Sequence, residues 1–307
     1  MTQKSASKTS QPAGFNRDLK KRNRAMVRLA IEIARKTNAK NLFIYIDAID
    51  ESFLPETLPK EIDVFFVTKS PTFEPANKTL DAKVIKIPDL KLTRMGLVKI
   101  AALLALSGRN INAEDGIIFL TGKAALSKLD TILCFNIGDE SELITGKGIA
   151  EIPDSILPAV FEHSLNIAVE LASKGKEGKP IGTIFVMGDE EKVMQLSKQM
   201  IINPFKGYER EERNILNPEL KETLREFSSL DGAFVISGDG EVLAAGRYLG
   251  AAMEGSEIPR GLGSRHIAAS GITALTNAVA IVISESTGDI RIFRNGSIMM
   301  EIEKPSF

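Results

Sequence analysis

One cysteine, Cys134, and two histidines, His163 and His266, are all that this chain of 307 residues contains of either type. A single thiol excludes a disulfide framework and a cysteine-rich metal site. With so few imidazoles there is no set of ligands for a zinc centre of the usual histidine and cysteine kind. Both facts suit a reducing, cytoplasmic location. Long apolar runs are also missing. The longest strongly apolar stretch, Ile100 to Leu106, is too short to span a bilayer, and the polar N-terminus lacks the apolar centre of a signal peptide. A formal net charge of -1 means that the whole chain is not a polyanion binder by charge, which argues against a nucleic-acid partner. The first forty residues are the local exception. They hold eleven Lys and Arg against Asp18 and Glu32. This reads as a solvated tail and a charged helix face, or as an arm for an anionic partner.

What is present is the composition of a soluble globular protein, 43% apolar and 26% charged, with length enough for two domains. The polar segment 1–14 is expected to be a disordered tail. From Arg22 a helix is predicted, because Met26, Leu29, Ala30, Ile33 and Ala34 recur at helical spacing. Five short apolar segments follow: Leu42–Ile46, Val64–Val67, Val84–Ile87, Ile117–Leu120 and Ile132–Phe135. Helical stretches intervene, notably Arg94–Leu106. Near-continuous apolar strands separated by helices predict a mostly parallel sheet buried on both faces, an α/β layered domain over residues 15–149. It contains no phosphate-loop signature, since Thr121-Gly-Lys123 is too short to count.

Gly146-Lys-Gly148 and Ile152-Pro-Asp154 mark the expected boundary with a second domain, residues 150–307. Asp154 or Ser155 can cap a helix whose apolar face is Leu157, Phe161, Leu165, Ala168 and Leu171. His163 lies off that stripe and is expected at the surface. A strand over Gly182–Met187 precedes a helix from Glu190 to about Met200. Residues 201–217 are polar and irregular, and a helix over Pro218–Phe227 follows. Asp239-Gly240, Thr287-Gly288 and Asn295-Gly296 each mark a tight turn between strand segments, the first and last being dipeptides suited to positive φ. A helix is predicted over Ser264–Thr276. The fold class expected is therefore α/β, with a mixed twisted sheet flanked by helices in the second domain and no internal repeat.

Three segments of that domain carry residues suited to chemistry. Asp231-Gly232 stands between a helix end and a strand. Alone it reads as a turn, but a carboxylate there could also bind Mg²⁺ or Mn²⁺ while Gly232 lets a ligand approach the backbone. Gly261-Leu-Gly263 leads into Ser264, Arg265 and His266. This is either an ordinary flexible loop with a helix cap, or a helix start whose N–H groups, hydroxyl and forked cation receive an anion. In the second case His266 could donate to a phosphate or assist a proton transfer. Ser284-Glu-Ser-Thr-Gly288 closes a strand as a polar turn, or places Glu285 near metal or ribose and Ser284 near phosphate.

In order and spacing the three segments resemble the diadenylate cyclase family: an Asp-Gly-Ala strand start, a Gly-Ser-Arg-His loop, then a strand ending Ser-Glu-x-Thr-Gly. Tyr248-Leu249 also looks like a family position where leucine lies against adenine. The resemblance covers about residues 150–307. It implies synthesis of cyclic di-AMP from two ATP, with Mn²⁺ or Mg²⁺ as cofactor and self-association as at least a dimer. Carried over, Asp231 and Glu285 are metal ligands and Asp231, Arg265 and His266 are catalytic. Gly232 and Leu249 line the adenine site, and Gly263, Ser264, Arg265, His266 and Ser284 hold phosphates. Ile267 stands where bacterial members have a second arginine, and Ser286 where many have a second acid. Both changes look like the archaeal branch. The N-terminal segment order faintly resembles the C-terminal α/β domain of pyruvate kinase, a partner domain of archaeal members. A catalytically silent nucleotide sensor, or a small-molecule module with cyclase output, are the alternative readings.

Overall fold

The computed structural model describes residues 13–78, 80–89, 92–136, 138, 152–175, 180–250 and 262–303. The chain divides into two compact units. One comprises residues 1–84 and 116–134, the other residues 85–115 and 135–307. The division is thus not a single cut at Gly146-Lys-Gly148, which lies outside the described residues. So does most of the expected tail, although its last residues, Ala13 and Gly14, open the first helix.

In the N-terminal part, helix α1 (Ala13–Thr37) is followed by β1 (Asn41–Tyr45), β2 (Asp63–Thr68), β3 (Ala82–Lys86), β4 (Gly116–Lys123) and β5 (Lys128–Asn136). Their order in the sheet is β3-β2-β1-β4-β5, and β1 pairs parallel with both β2 and β4. The central strand β1 is buried at every residue, whereas β3 and β5, at the edges, are partly exposed. Continuous apolarity marks central strands because both of their faces are covered.

Helix α1 begins nine residues before Arg22, and its buried face differs from the predicted one. Val27, Ala30 and Ala34 are inside while Leu29 is 47% exposed. The reason is Asn23, fully buried. Its amide donates to the Ser127 carbonyl at 2.7 Å and its Oδ1 accepts from Leu129 N–H at 3.0 Å. A polar anchor sets the rotation of the helix, which apolar periodicity alone does not register.

The C-terminal unit is built on a seven-stranded sheet. Helix α2 (Arg94–Ser107) belongs with it. Then come α3 (Pro158–Lys174), β6 (Ile184–Met187), α4 (Glu190–Gln195), β7 (Ser197–Gln199), α5 (Leu220–Phe227), β8 (Ala233–Ile236), β9 (Val242–Leu249), α6 (Ser264–Leu275), β10 (Val279–Ile283), β11 (Ile290–Arg294) and β12 (Ser297–Ile302). The strand order is β12-β11-β10-β6-β8-β9-β7. β6 and β8 are parallel, and the other five neighbouring pairs of this sheet are antiparallel. Fold class and mixed sheet agree with the reading of the sequence.

Three local expectations are corrected. Helix α3 starts at Pro158 behind Leu157, with no side-chain cap, rather than at Asp154 or Ser155. Proline at the first helical position has no N–H to leave unpaired and a φ already suited to the helix. His163, expected at the surface, is half-buried, and its pKa is lowered by burial and by the Lys221 charge. The helix expected to reach Met200 stops at Gln195, and Ser197–Gln199 form edge strand β7 against β9. Buried Arg247 on β9 causes the break. Its guanidinium donates to the carbonyls of Met194 and Ser197 and to Ser197 Oγ, at 2.7–2.8 Å. It satisfies the carbonyls that a continuing helix would have used.

Candidate functional site

The register of the sheet assembles the site. Ile184 of β6 lies opposite Ala233 of β8 and Val282 of β10. β6 and β8 run the same way and β10 runs against them. The residues two places beyond these partners therefore share one edge of the sheet: Gly182 before β6, Asp231 before β8 and Ser284 after β10. The start of α6 reaches the same edge. Gly263, Ser264, Arg265, His266, Ile283, Ser284, Glu285 and Ser286 line one open cavity of about 470 Å³.

Arg265 ties the segments together. Its Nη1 donates to Glu285 Oε2 at 2.7 Å and its Nη2 lies 3.5 Å from Asp231 Oδ1. The Asp231 and Glu285 side chains are 89% and 67% exposed, and Arg265 is 30% exposed. Two open carboxylates thus converge on one fixed guanidinium. Gly263 caps α6 in an extended conformation, with no side-chain cap and open space where a Cβ would stand. The first N–H groups of the helix are left for an anion. Ser284 is 7% exposed. Its hydroxyl lies 3.2 Å from Ser286 Oγ and 3.3 Å from Thr287 N, so it orders the turn as well as lining the cavity.

His266 sits differently from the exposed residues beside it. It is 5% exposed, with Nε2 3.1 Å from Arg291 Nη1 and its ring 6.1 Å from that of Phe293. Burial, then the Arg291 charge, lower its pKa to about 4. It is neutral at neutral pH.

Gly232 and Leu249 do not line this cavity. Gly232 has φ +102, and a Cβ there would stand 2.7 Å from Arg247 N and Gly246 C. The close approach that requires glycine is to the main chain of β9. Gly232→Ala is expected to destabilise the C-terminal unit by roughly 2 kcal/mol, from a strained backbone plus the clash; urea unfolding measures it, and an unchanged midpoint would refute this account. Leu249 is 5% exposed and belongs to the apolar cluster with Ile184, Val186 and Ile272. Its neighbour Tyr248 is 57% exposed. Gly261 lies outside the described residues.

Gly182 was not singled out in the sequence. A Cβ there would stand 2.7 Å from both Arg265 Nη1 and Glu285 Cβ, so its bareness makes room for the ion pair. A glycine two places before a strand is the only local signal, and it is ambiguous until β6 is known to lie between β8 and β10.

Among the described residues, no group of three or more His, Cys, Asp and Glu is placed to hold a metal ion. The donors at the site are two hard carboxylates. They fit Mg²⁺ or Mn²⁺ completed by substrate phosphates, the usual habit of such ions at nucleotide sites, rather than a cage made by protein alone.

An α/β domain with a helix start open to anions, facing paired acids, defines a nucleotide-handling class. Residues 170–298 match the family described as DisA bacterial checkpoint controller nucleotide-binding. The chain is 38% identical over 201 residues to a diadenylate cyclase of Methanocaldococcus jannaschii, covering 65% of this chain and 63% of that one. It is 44% identical over 150 residues to a diadenylate cyclase of Haloferax volcanii, covering 49% of this chain and 55% of that one. The matches thus span less than two thirds of the length of these relatives. Among solved structures, a double-cysteine variant of DacA from Staphylococcus aureus aligns at 23% identity with TM-score 0.32, over 47% of this chain and 87% of that one. Residues 170–298 thus carry a domain of the DisA nucleotide-binding family, and the chain is similar to diadenylate cyclases.

Proposed function

We propose that this protein is a metal-dependent diadenylate cyclase that condenses two ATP into cyclic di-AMP and two pyrophosphates, as at least a homodimer in the cytoplasm. The observation that carries the reading is the meeting of Asp231, Ser264–His266 and Ser284–Glu285, distant in sequence, at one edge of one sheet. The activity named for the two archaeal relatives supports it. Among the described residues no helix is long and apolar enough to cross a membrane.

In this reading each ATP 3′-hydroxyl attacks the α-phosphorus of the other ATP. A new P–O bond forms and the bond to pyrophosphate breaks. The first turn of α6, with Ser264, holds phosphate oxygens, and Ser284 adds a hydroxyl at the opposite wall. Arg265 offers its fork to the phosphates from a position already fixed by Asp231 and Glu285. The family resemblance assigns Gly232 and Leu249 to the adenine side, outside the cavity that Ser264, Arg265, His266 and Ser284 line. Asp231 and Glu285 would hold the Mn²⁺ or Mg²⁺, which supplies phosphate neutralisation and a more acidic hydroxyl. Incubation with ATP and Mn²⁺, followed by mass spectrometry, should yield cyclic di-AMP and pyrophosphate. ATP binding without either product would overturn the reading in favour of a silent sensor.

The product has two-fold symmetry, while each chain carries one Asp231 and one Arg265. Two identical half-sites facing each other are the simplest arrangement. Mixing wild type with excess Asp231→Asn protein, under conditions of subunit exchange, should lower activity in step with the fraction of wild-type partners. Constant activity despite confirmed exchange would mean that one chain holds a complete site.

A further inference from the structure

We propose that Arg291 is a positioning residue that fixes His266 as the Nδ1-protonated tautomer, so that His266 serves the site as a hydrogen-bond donor and not as a general base. Its functional half rests on the cyclase reading of the site; its structural half does not.

The argument begins with the donor at His266 Nε2. Arg291 Nη1 is 3.1 Å away. A guanidinium has only N–H groups to offer, so Nε2 must accept with its lone pair. A proton on Nε2 would set two N–H groups against each other. The one proton of the neutral ring is therefore on Nδ1.

The guanidinium is itself held in place. Arg291 on β11 stands opposite Glu301 on β12 in the strand register. Its Nη2 pairs with the Glu301 carboxylate and lies 3.9 Å from Asp289 Oδ2. The Arg291 side chain is only 14% exposed. Lys99 Nζ of α2 donates to the Glu301 carbonyl at 3.1 Å, which braces the same strand. The charged groups acting on the ring are Arg291 and Asp289 from the β11 side and Arg265 from its own helix. Both arginines oppose an imidazolium, as does burial.

What remains is Nδ1–H, buried and with no well-formed hydrogen bond among the described residues; the Gly263 carbonyl acts on the ring and favours its proton, and the residue lines the cavity. A buried donor without a well-formed bond is uncommon and calls for a function. With Nε2 already occupied, the ring has no free lone pair for the proton of an attacking hydroxyl. Nδ1–H is its single contribution, suited to an acceptor such as a phosphate oxygen. Neither Arg291 nor the tautomer can be read from the Ser-Arg-His motif.

The test uses the full chain labelled with ¹⁵N, in which His163 is the only other histidine and serves as internal control. In wild type, His266 should show a protonated Nδ1 and a bare Nε2 across neutral pH. Arg291→Met should release Nε2, populate the Nε2–H tautomer and raise the titration midpoint from about 4 toward the ordinary value of about 6.5. Arg291→Lys, which keeps a donor, should retain the Nδ1–H form. A protonated Nε2 in wild type overturns the inference, and so does an Arg291→Met spectrum identical to wild type. Should that variant fail to fold, the wild-type and Arg291→Lys spectra still decide. Correct tautomers in a chain that makes no cyclic product would retire the cyclase reading and leave the Arg291–His266 lock standing.

Discussion

Asp231→Asn is expected to lower cyclic di-AMP formation by at least about a hundredfold while leaving the fold intact. Loss of one charge that acts on the transition state is worth several kcal/mol in an organised site. Stability has little to lose. The Asp231 side chain is 89% exposed and its ion pair with Arg265 is long, at 3.5 Å; exposed pairs contribute about 0–1 kcal/mol. Asparagine keeps the shape and removes the charge, so the effect should fall on turnover and on metal dependence, with thermal unfolding unchanged. Near wild-type turnover in the variant would remove Asp231 from the proposed machinery.

Arg265→Ala should be at least as damaging. Among the described residues the guanidinium pairs with both carboxylates, and its removal leaves two like charges without that cation where, in the proposed reaction, a polyphosphate enters. A loss of about a hundredfold or more in kcat/KM is expected. Arg265→Lys should recover only part of it, because an ammonium cannot replace two forked contacts. Arg225→Ala is the control. That arginine is 44% exposed on α5 and pairs with Glu222 three residues earlier, so its truncation should change stability by under about half a kcal/mol and leave turnover alone. Equal activity of the alanine variants at 265 and 225 would end the phosphate role of Arg265.

The legibility of the site follows from the kind of interaction involved. The loop Gly263–His266 was readable because a glycine-led helix start, a hydroxyl and a guanidinium form a local pattern. Asp231 and Glu285 were readable only in company, since each alone looks like a turn. Gly182 was not readable. Its reason is the Arg265–Glu285 pair, which reaches it across a neighbouring strand. Gly232 also accommodates the main chain of β9, a long-range role that the Asp-Gly pair does not show. His266 follows Arg265 in the motif, but the turn of α6 points it at Arg291 and Phe293, contacts that the motif does not contain.

The order of elements was already decided by the sequence. Apolar runs of strand length, helical stripes, and the Asp239-Gly240 and Asn295-Gly296 turns, with φ of +98 and +78 at their glycines, depend on neighbours within a few residues, where chain stiffness and burial act directly. The sheet order β10-β6-β8, the end of α4 at Arg247 and the Arg291–His266 contact were decided by the tertiary structure. Each of these is a hydrogen bond or ion pair between residues far apart in the chain. Such a bond has a direction and one particular partner, whereas apolar burial needs only a face and a period, so the face can be read along the sequence and the partner cannot.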